Sequence, residues 1–427
     1  MPAAWSAVQR HGALAIFALI GIVNFVDRQS MTILLEPIKR EFKVSDGAMG
    51  FITGTMFGLV YVLAGFPIAR WADKGGRRSI LAACLAFWSA MTVACGFAQS
   101  YFQLALGRIG VAIGESGGAP TTLSMLSDLY PMGARGTVYG IINGSQSAGI
   151  AIGLALAGWM NHVLGWRAAF LVVGAPGLLL ALVLRFAVRE PHRGMADQTP
   201  DAATILPVRE ALAFAWSQRS LCLILLTTML VAITGYGVLG WAPTLFVRVY
   251  SMSLAQVGLR VGASIAAGLM IGSFAGGRIS DHLGKRDLRW YVWIGGIGTL
   301  LAGPVGIIFA FAPSSSSALV ALFIFQLLMA FYLPSLYAMA ALLVPLRMRT
   351  LSVGAVTLLT TLAGVGLGPL IIGLLNDRLL HTYGVQGVRI SLAVITAGAM
   401  LGGVSCISSG HWLRRDCARV KDLAGDR

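Results

Sequence analysis

The sequence predicts an all-α integral membrane protein, with twelve transmembrane helices arranged as two pseudo-symmetric halves of six. Three observations lead to this fold class. The 427 residues are 57% hydrophobic and only 11% charged, with a mean hydropathy of +0.78, whereas soluble chains carry about 25% charged residues. Apolar runs of about 20 residues, long enough to cross a hydrocarbon core about 30 Å thick, recur along the chain. Two loop motifs also return at matching places in the two parts of the sequence.

Taken in order, the spans are expected near residues 13–35, 48–69, 79–98, 102–127, 136–159, 167–187, 220–243, 256–277, 291–311, 318–343, 351–375 and 388–411. The first, "ALAIFALIGIVNFVDRQSMTILL", is longer than a signal-peptide core and no small-residue cleavage site follows it. In the fourth and eleventh, Pro120 and Pro369 are expected to bend the helix. The fifth carries Gly140, Gly144, Gly149, Gly153 and Gly158, and the eleventh Gly354, Gly364, Gly366, Gly368 and Gly373. Such small-residue faces let helices approach closely in lipid.

The longest hydrophilic interruption, "VREPHRGMADQTPDAATILPVREALAFAWSQRS", follows the sixth span. The expected organisation is an N-terminal six-helix half (1–187), a cytoplasmic linker (188–219), a C-terminal half (220–411) and a basic tail (412–427). Most Lys and Arg lie in the termini and in the loops around 70–78, 135, 185–219, 278–289 and 347–349. The positive-inside rule therefore puts both termini in the cytoplasm.

The excess of 32 Lys+Arg over 17 Asp+Glu would point to nucleic acid in a soluble protein. In a membrane chain it reflects basic loops beside an anionic leaflet, so no nucleic-acid partner is expected. Four of the five cysteines fall in apolar runs and Cys417 in the tail, so no disulfide is expected. Nothing resembles a metal cluster, a catalytic triad or a phosphate loop, so neither an enzyme activity nor a bound metal or cofactor is expected. The glycosylation-type "NGS" at Asn143 lies inside the fifth span.

The repeats support two halves of the same orientation. "ARWADKGGRR" after the second span returns as "GRISDHLGKR" after the eighth, aligning Asp73 with Asp281, Gly76 with Gly284 and Arg77 with Lys285. "YPMGARGTVYG" returns as "VPLRMRTLSVG", aligning Pro131, Arg135 and Gly140 with Pro345, Arg349 and Gly354. Parallel repeats of this kind are a transporter architecture, in which one half rocks against the other around a central site. An aspartate at a cytoplasmic helix end can face the positive N-terminus of another helix, held by neighbouring bases. Asp73, Arg77, Arg78, Arg135, Asp281, Lys285 and Arg349 are the candidate conformational latch.

Charge inside the spans is the other signal. "NFVDRQ" places Asp27 and Arg28 in the first span, and "GRIGVAIGESGGAP" places Arg108 and Glu115 in the fourth. An ionisable group at bilayer depth costs roughly 2.5–3.5 kcal/mol on insertion scales, so each needs a partner or a wet cavity. Seven residues are close to two helical turns, which sets Arg108 and Glu115 on nearly one face. At 1.5 Å per residue, Asp27 lies about 21 Å from the cytoplasmic side and Arg108 about 9 Å from the outer side, which is a similar depth in a 30 Å core. Glu115 falls near the midplane. A carboxylate there can take a proton when its cation moves away, while an arginine stays charged and suits an anion. The candidates are Asp27 and Glu115 for proton coupling, and Arg28, Arg108 and Asn24 for charge pairing or substrate. The later spans lack interior charge but offer the aromatics Tyr236, Trp241, Tyr332 and Tyr337.

The doubled loop pattern resembles the signature of the major facilitator superfamily, with Ala69 in place of the leading glycine of the first copy and His282 in place of a base in the second. Together with "LEPIKREFKVSD" and "LVPLRMRTLSVGAVTLLTTLAGVGLGPLIIGLLNDRL", the chain resembles a bacterial member of the spinster-like branch over nearly its whole length. The resemblance implies a monomeric transporter of the bacterial inner membrane, driven by a proton gradient and carrying an amphiphilic lysophospholipid or sphingoid-like substrate. It also implies protonation at Asp27 and Glu115. The Asp-Arg and Arg-to-Glu spacing is shared with organic anion symporters of the same superfamily, so a sugar-acid or carboxylate symporter, or a multidrug-type exporter, remains the alternative.

Overall fold

A computed structural model describes residues 5–195, 214–345 and 348–425, and every regular element among them is helical. Among the described residues, eight helical runs are long and apolar enough to cross a membrane. The Cα framework divides into two compact units. The first takes the described residues of Met1–Ser45, Met56–Asp201 and Met252–Ala263; the second takes those of Asp46–Thr55, Ala202–Ser251 and Ser264–Arg427.

In the first unit, α1 (Ala7–Ile33) starts at a capping box in which Ser6 and Gln9 bond each other's backbone, which satisfies amides the helix itself cannot. A short α2 (Leu35–Phe42) follows. Beyond α3 (Asp46–Gly50), which belongs to the second unit, come α4 (Met56–Lys74) and α5 (Arg77–Cys95). The expected fourth span is two helices, α6 (Tyr101–Ser116) and α7 (Gly118–Leu129), parted at Gly117. A Cβ at Gly117 would sit 2.7 Å from both Cys84 Sγ and Ile68 Cγ2. The fifth and sixth spans form one run, α8 (Met132–Ala187), interrupted at Gly165 with φ 82° and ψ 169°. A residue with a Cβ rarely adopts that backbone.

The core of this unit is α8 lying along α1 and α5. Gly149 and Gly153 bring α8 against the α1 backbone, and a Cβ on Gly153 would lie 2.8 Å from Val26 Cα. The predicted small-residue face is therefore packed around Gly149 and Gly153. Gly140 and Gly144 have nothing within 4 Å of a built Cβ, so that end of the face is unpacked. The stretch Met252–Ala263 joins the unit through Gly258 and Gly262, which meet the backbone at Leu154 and Ala151.

The second unit contains α9 (Arg219–Arg248), α10 (Leu254–Gly284, from Ser264 onward), α11 (Trp290–Phe311), α12 (Ser315–Ala330) and α13 (Leu333–Leu342). Then follow α14 (Arg349–Leu359), a π-helical stretch Thr360–Leu367, α15 (Gly368–Tyr383) and α16 (Gly387–Gly425). The expected tenth span is thus broken between α12 and α13, and the eleventh is wound as π-helix just before Pro369. The segment Asp46–Thr55 docks here. Thr55 Oγ1 donates to Gly366 O at 2.7 Å, and a Cβ on Gly50 would lie 2.5 Å from Pro369 O.

Candidate functional site

Four charged side chains of the first unit meet inside the bundle. Asp27 and Arg28 are neighbours on α1, so they point about 100° apart and reach different partners. Asp27 Oδ1 accepts from Arg108 Nη1 at 3.1 Å, and Asp27 Oδ2 accepts from Thr92 Oγ1 of α5 at 2.8 Å. Arg28 Nε donates to Glu115 Oε2 at 2.6 Å. Asp27, Arg108 and Glu115 are each 3% exposed or less, while the Arg28 side chain keeps 18%. The similar depth expected for Asp27 and Arg108 is observed as a direct ion pair.

Two aromatic residues of α4 complete the arrangement. The Cζ of Arg28 lies 5.2 Å from the ring centroids of both Phe57 and Tyr61, and 5.7 Å from Phe25. The Cζ of Arg108 lies 5.2 Å from Phe57. Phe57 therefore contacts both guanidiniums, with a quadrupole that favours cations at its face. Reading the sequence missed Phe57, Tyr61 and Thr92. Their only sequence signal was an aromatic pair four residues apart and a hydroxyl in apolar helices, which occurs in many spans without function.

The network carries no net charge, with two carboxylates against two guanidiniums. It is not saturated. Arg108 Nε and Glu115 Oε1 are buried with no hydrogen-bond partner. Most buried polar atoms are paired, and an unpaired one costs about 1–3 kcal/mol. Asn24, half-buried one turn earlier on α1, is not part of this network.

The aromatics predicted in the later spans belong to the second unit. Trp241 is fully buried and donates from Nε1 to Pro369 O at 2.9 Å; Tyr332 is buried and donates to Thr228 Oγ1 at 2.9 Å. Both polar tips are committed to packing. Tyr236 is half-buried on α9, and Tyr337 lies outside the described side chains.

Of the candidate latch, Arg77 is the most engaged. It pairs with Asp128 of α7 at 2.5 Å and Glu190 at 3.3 Å, and donates to Pro191 O at 2.8 Å. Glu190 also accepts the backbone amides of Arg77 and Arg78 at 3.1 and 2.8 Å, capping α5. Arg78 Nη1 reaches Val188 O at 3.0 Å, and Arg135 bonds Ser127 O and Tyr130 O at the end of α7. Asp128 and Glu190 were not singled out in the sequence, although each is an acid at a basic span end. In the second unit Asp281 is exposed and accepts from Tyr291 OH at 3.2 Å, and Lys285 is exposed. The side chains of Asp73 and Arg349 lie outside the described set.

Comparison with known proteins gives consistent results. The profile of the Major Facilitator Superfamily matches residues 17–369. An MFS-type efflux pump of Mycolicibacterium smegmatis is 31% identical over 415 residues, covering 95% of this chain and 94% of its own. A probable L-galactonate transporter of Escherichia coli is 26% identical over 64% of this chain and 62% of its own. Among solved structures, a bacterial homolog of the human lysosomal transporter spinster, inward-facing and unoccupied, superposes with a TM-score of 0.85. It is 28% identical, covering 96% of this chain and 99% of the other.

Proposed function

Because the chain belongs to the Major Facilitator Superfamily, as a spinster-like transporter rather than an enzyme, we propose that it moves an amphiphile with an anionic head, of the lysophospholipid or sphingoid kind, by proton-coupled alternating access. The observation that carries this reading is the unsaturated network of Asp27, Arg28, Arg108 and Glu115. Taking one partner out of a buried ion pair costs about 3–5 kcal/mol, because the other charge is left alone. Two events remove that cost together: an anion takes over a guanidinium, and a proton neutralises the carboxylate it leaves. Each event makes the other easier, which is coupling by linkage.

In this scheme Arg28, the most exposed of the four, meets the substrate head first, and Glu115 takes the proton. Asp27 and Arg108 follow as the helices move, with Thr92 holding Asp27 in place. Twelve spans in two halves, both termini in the cytoplasm, a bacterial inner membrane and function as a monomer complete the proposal. The energy source is the proton gradient and no other cofactor is invoked. Arg77 with Asp128 and Glu190, Arg78, Arg135 and the repeat residues Asp73, Asp281, Lys285 and Arg349 serve conformational latching.

A second reading, a proton-coupled sugar-acid or carboxylate symporter, is favoured by the L-galactonate relative and by guanidiniums that suit a carboxylate. Flux into proteoliposomes under an imposed pH gradient separates the two. Gradient-driven lysophospholipid movement, lost in Asp27→Asn, is the expected result. Movement of a sugar acid alone would establish the second reading instead.

A further inference from the structure

We propose that the cytoplasmic ends of α9 and α16 form a binding site for the phosphate head of an acidic membrane phospholipid, gripped by Arg219, Arg415 and Arg419. A cleft of about 380 Å³ opens there in the second unit, lined by these three arginines with Ser217, Trp412 and Asp416. Arg415 and Arg419 are one helical turn apart on α16, so they share a face, and Arg219 is the first residue of α9. All three are exposed, and none has an ion-pair partner among the described residues.

Among the described residues lining the cleft, the one carboxylate is already occupied. Asp416 Oδ2 accepts from the Ser220 amide at 2.9 Å and from Ser220 Oγ at 2.6 Å, closing the first turn of α9. The helix start therefore offers little to an anion, and the guanidiniums are the recognising groups. Arg419 gives only a long 3.4 Å bond to Ser217 O, and Arg219 lies 5.8 Å from the Trp412 ring. Arg414, the residue before Arg415, is taken up by Asp287 at 2.8 Å. Three planar forks around one cleft suit a phosphate, which accepts paired hydrogen bonds from arginine.

The tryptophans around the cleft favour a lipid over a soluble anion. Tryptophan concentrates at the headgroup level of membranes, and this end of the unit is rich in it. Trp412 lines the cleft, Trp216 is 78% exposed two residues before α9's cap, and Trp290 and Trp293 meet edge to face at 5.4 Å at the start of α11. Arg289 lies 4.9 Å over Trp293. Basic clefts between spans on the cytoplasmic side are where acidic headgroups dock. The bound lipid is distinct from the transported substrate, since the cleft shares no residue with the Asp27 network.

The test is native mass spectrometry of the full-length protein in detergent, with phosphatidylglycerol or phosphatidylethanolamine at equal concentration. Wild type is expected to retain phosphatidylglycerol preferentially. That preference should fall on the order of tenfold in R415Q/R419Q, fall less in Arg219→Gln, and persist in Arg286→Gln, an exposed base outside the cleft. Arg219→Gln alone decides the matter if the double variant does not fold. Equal retention by wild type and the cleft variants would overturn the proposal. Thermal protection by inorganic phosphate with no lipid preference would assign the cleft to a soluble anion, and would overturn the lipid assignment. Retention in detergent is read independently of flux, so either result leaves the transport reading to its own test.

Discussion

Phe57 touches both guanidiniums of the buried network at 5.2 Å, a position that makes it the most informative single residue to change. Phe57→Ala removes both cation–π contacts, each worth about 0.5–2 kcal/mol, and opens a cavity beside Arg28. Gradient-driven flux should drop at least severalfold, whereas Phe57→Trp should keep most of it; equal flux in all three proteins would remove Phe57 from the site. Asp27→Asn leaves Arg108 buried without its counter-charge, so the purified variant should melt lower. Adding Arg108→Gln should restore much of that stability without restoring transport, because the pair is repaired as neutral groups and no titratable site returns. A double variant melting no higher than the single one would mean that the Asp27–Arg108 contact is not the source of the loss. All four charged residues were foreshadowed in the sequence, because ionisable residues in an apolar run have few roles. The rings beside them were not, since Phe and Tyr are ordinary in a span.

At the level of elements, two clamps make distinct predictions. The first ties α3 to α9 and α15: Arg248 forks onto Asp46 with bonds of 2.6 and 2.7 Å, and Asp377 accepts the Asp46 and Gly47 amides at 2.8 and 2.7 Å. Asp377 thereby caps α3 from a distant part of the chain. Arg248→Gln should speed hydrogen exchange through residues 46–55 while leaving α1 unchanged; unaltered exchange there would show that the glycine contacts with Pro369 hold the segment by themselves. The second clamp ties α2 to the Gly165 turn. Glu41 accepts from Trp166 Nε1 at 2.7 Å and pairs with Arg167 at 2.7 Å. The Arg167 and Trp166 hydrogen bonds hold its carboxyl below the usual carboxylate range. A depressed carboxylate contributes stability above its unfolded pKa, near 4.3, and that stability is lost as pH falls through the folded value. Glu41→Gln should therefore lower the melting temperature slightly at pH 6 and converge with wild type in acid. The half-exposed setting keeps the effect within about 1 kcal/mol, and a difference that grew below pH 4 would contradict it. Glu41 and Asp46 read as ordinary loop acids in the sequence, because their partners are far away in the chain.

For the whole molecule, the proposed topology predicts that tags at both termini are protected from protease added outside intact cells and cleaved once the membrane is broken. An accessible C-terminal tag on intact cells would overturn it. Membrane class and family were legible from composition and from the doubled loop motif. The disturbances of the fourth and eleventh spans were foreshadowed by Pro120 and Pro369, whereas the break between α12 and α13 was not. The break at Gly117 lies three residues before Pro120 and the π-helical winding at Thr360–Leu367 ends just before Pro369, and a proline leaves the carbonyl four residues back without its helical bond. The assignment of Asp46–Thr55 and Met252–Ala263 to units built mainly from the other part of the sequence is a packing outcome.

By itself, the sequence determined that lipid is the solvent and where the chain can cross it, because transfer of apolar and charged groups depends mainly on local composition. It also marked Asp27, Arg28, Arg108 and Glu115, since charge in hydrocarbon is costly wherever the chain goes. Tertiary structure alone decided which carboxylate meets which arginine, that Phe57 stands against both, and that Arg108 Nε and Glu115 Oε1 are left without partners. Those are distances between residues up to 87 positions apart, and only the packing of helices brings them within the few ångströms over which hydrogen bonds and cation–π contacts act.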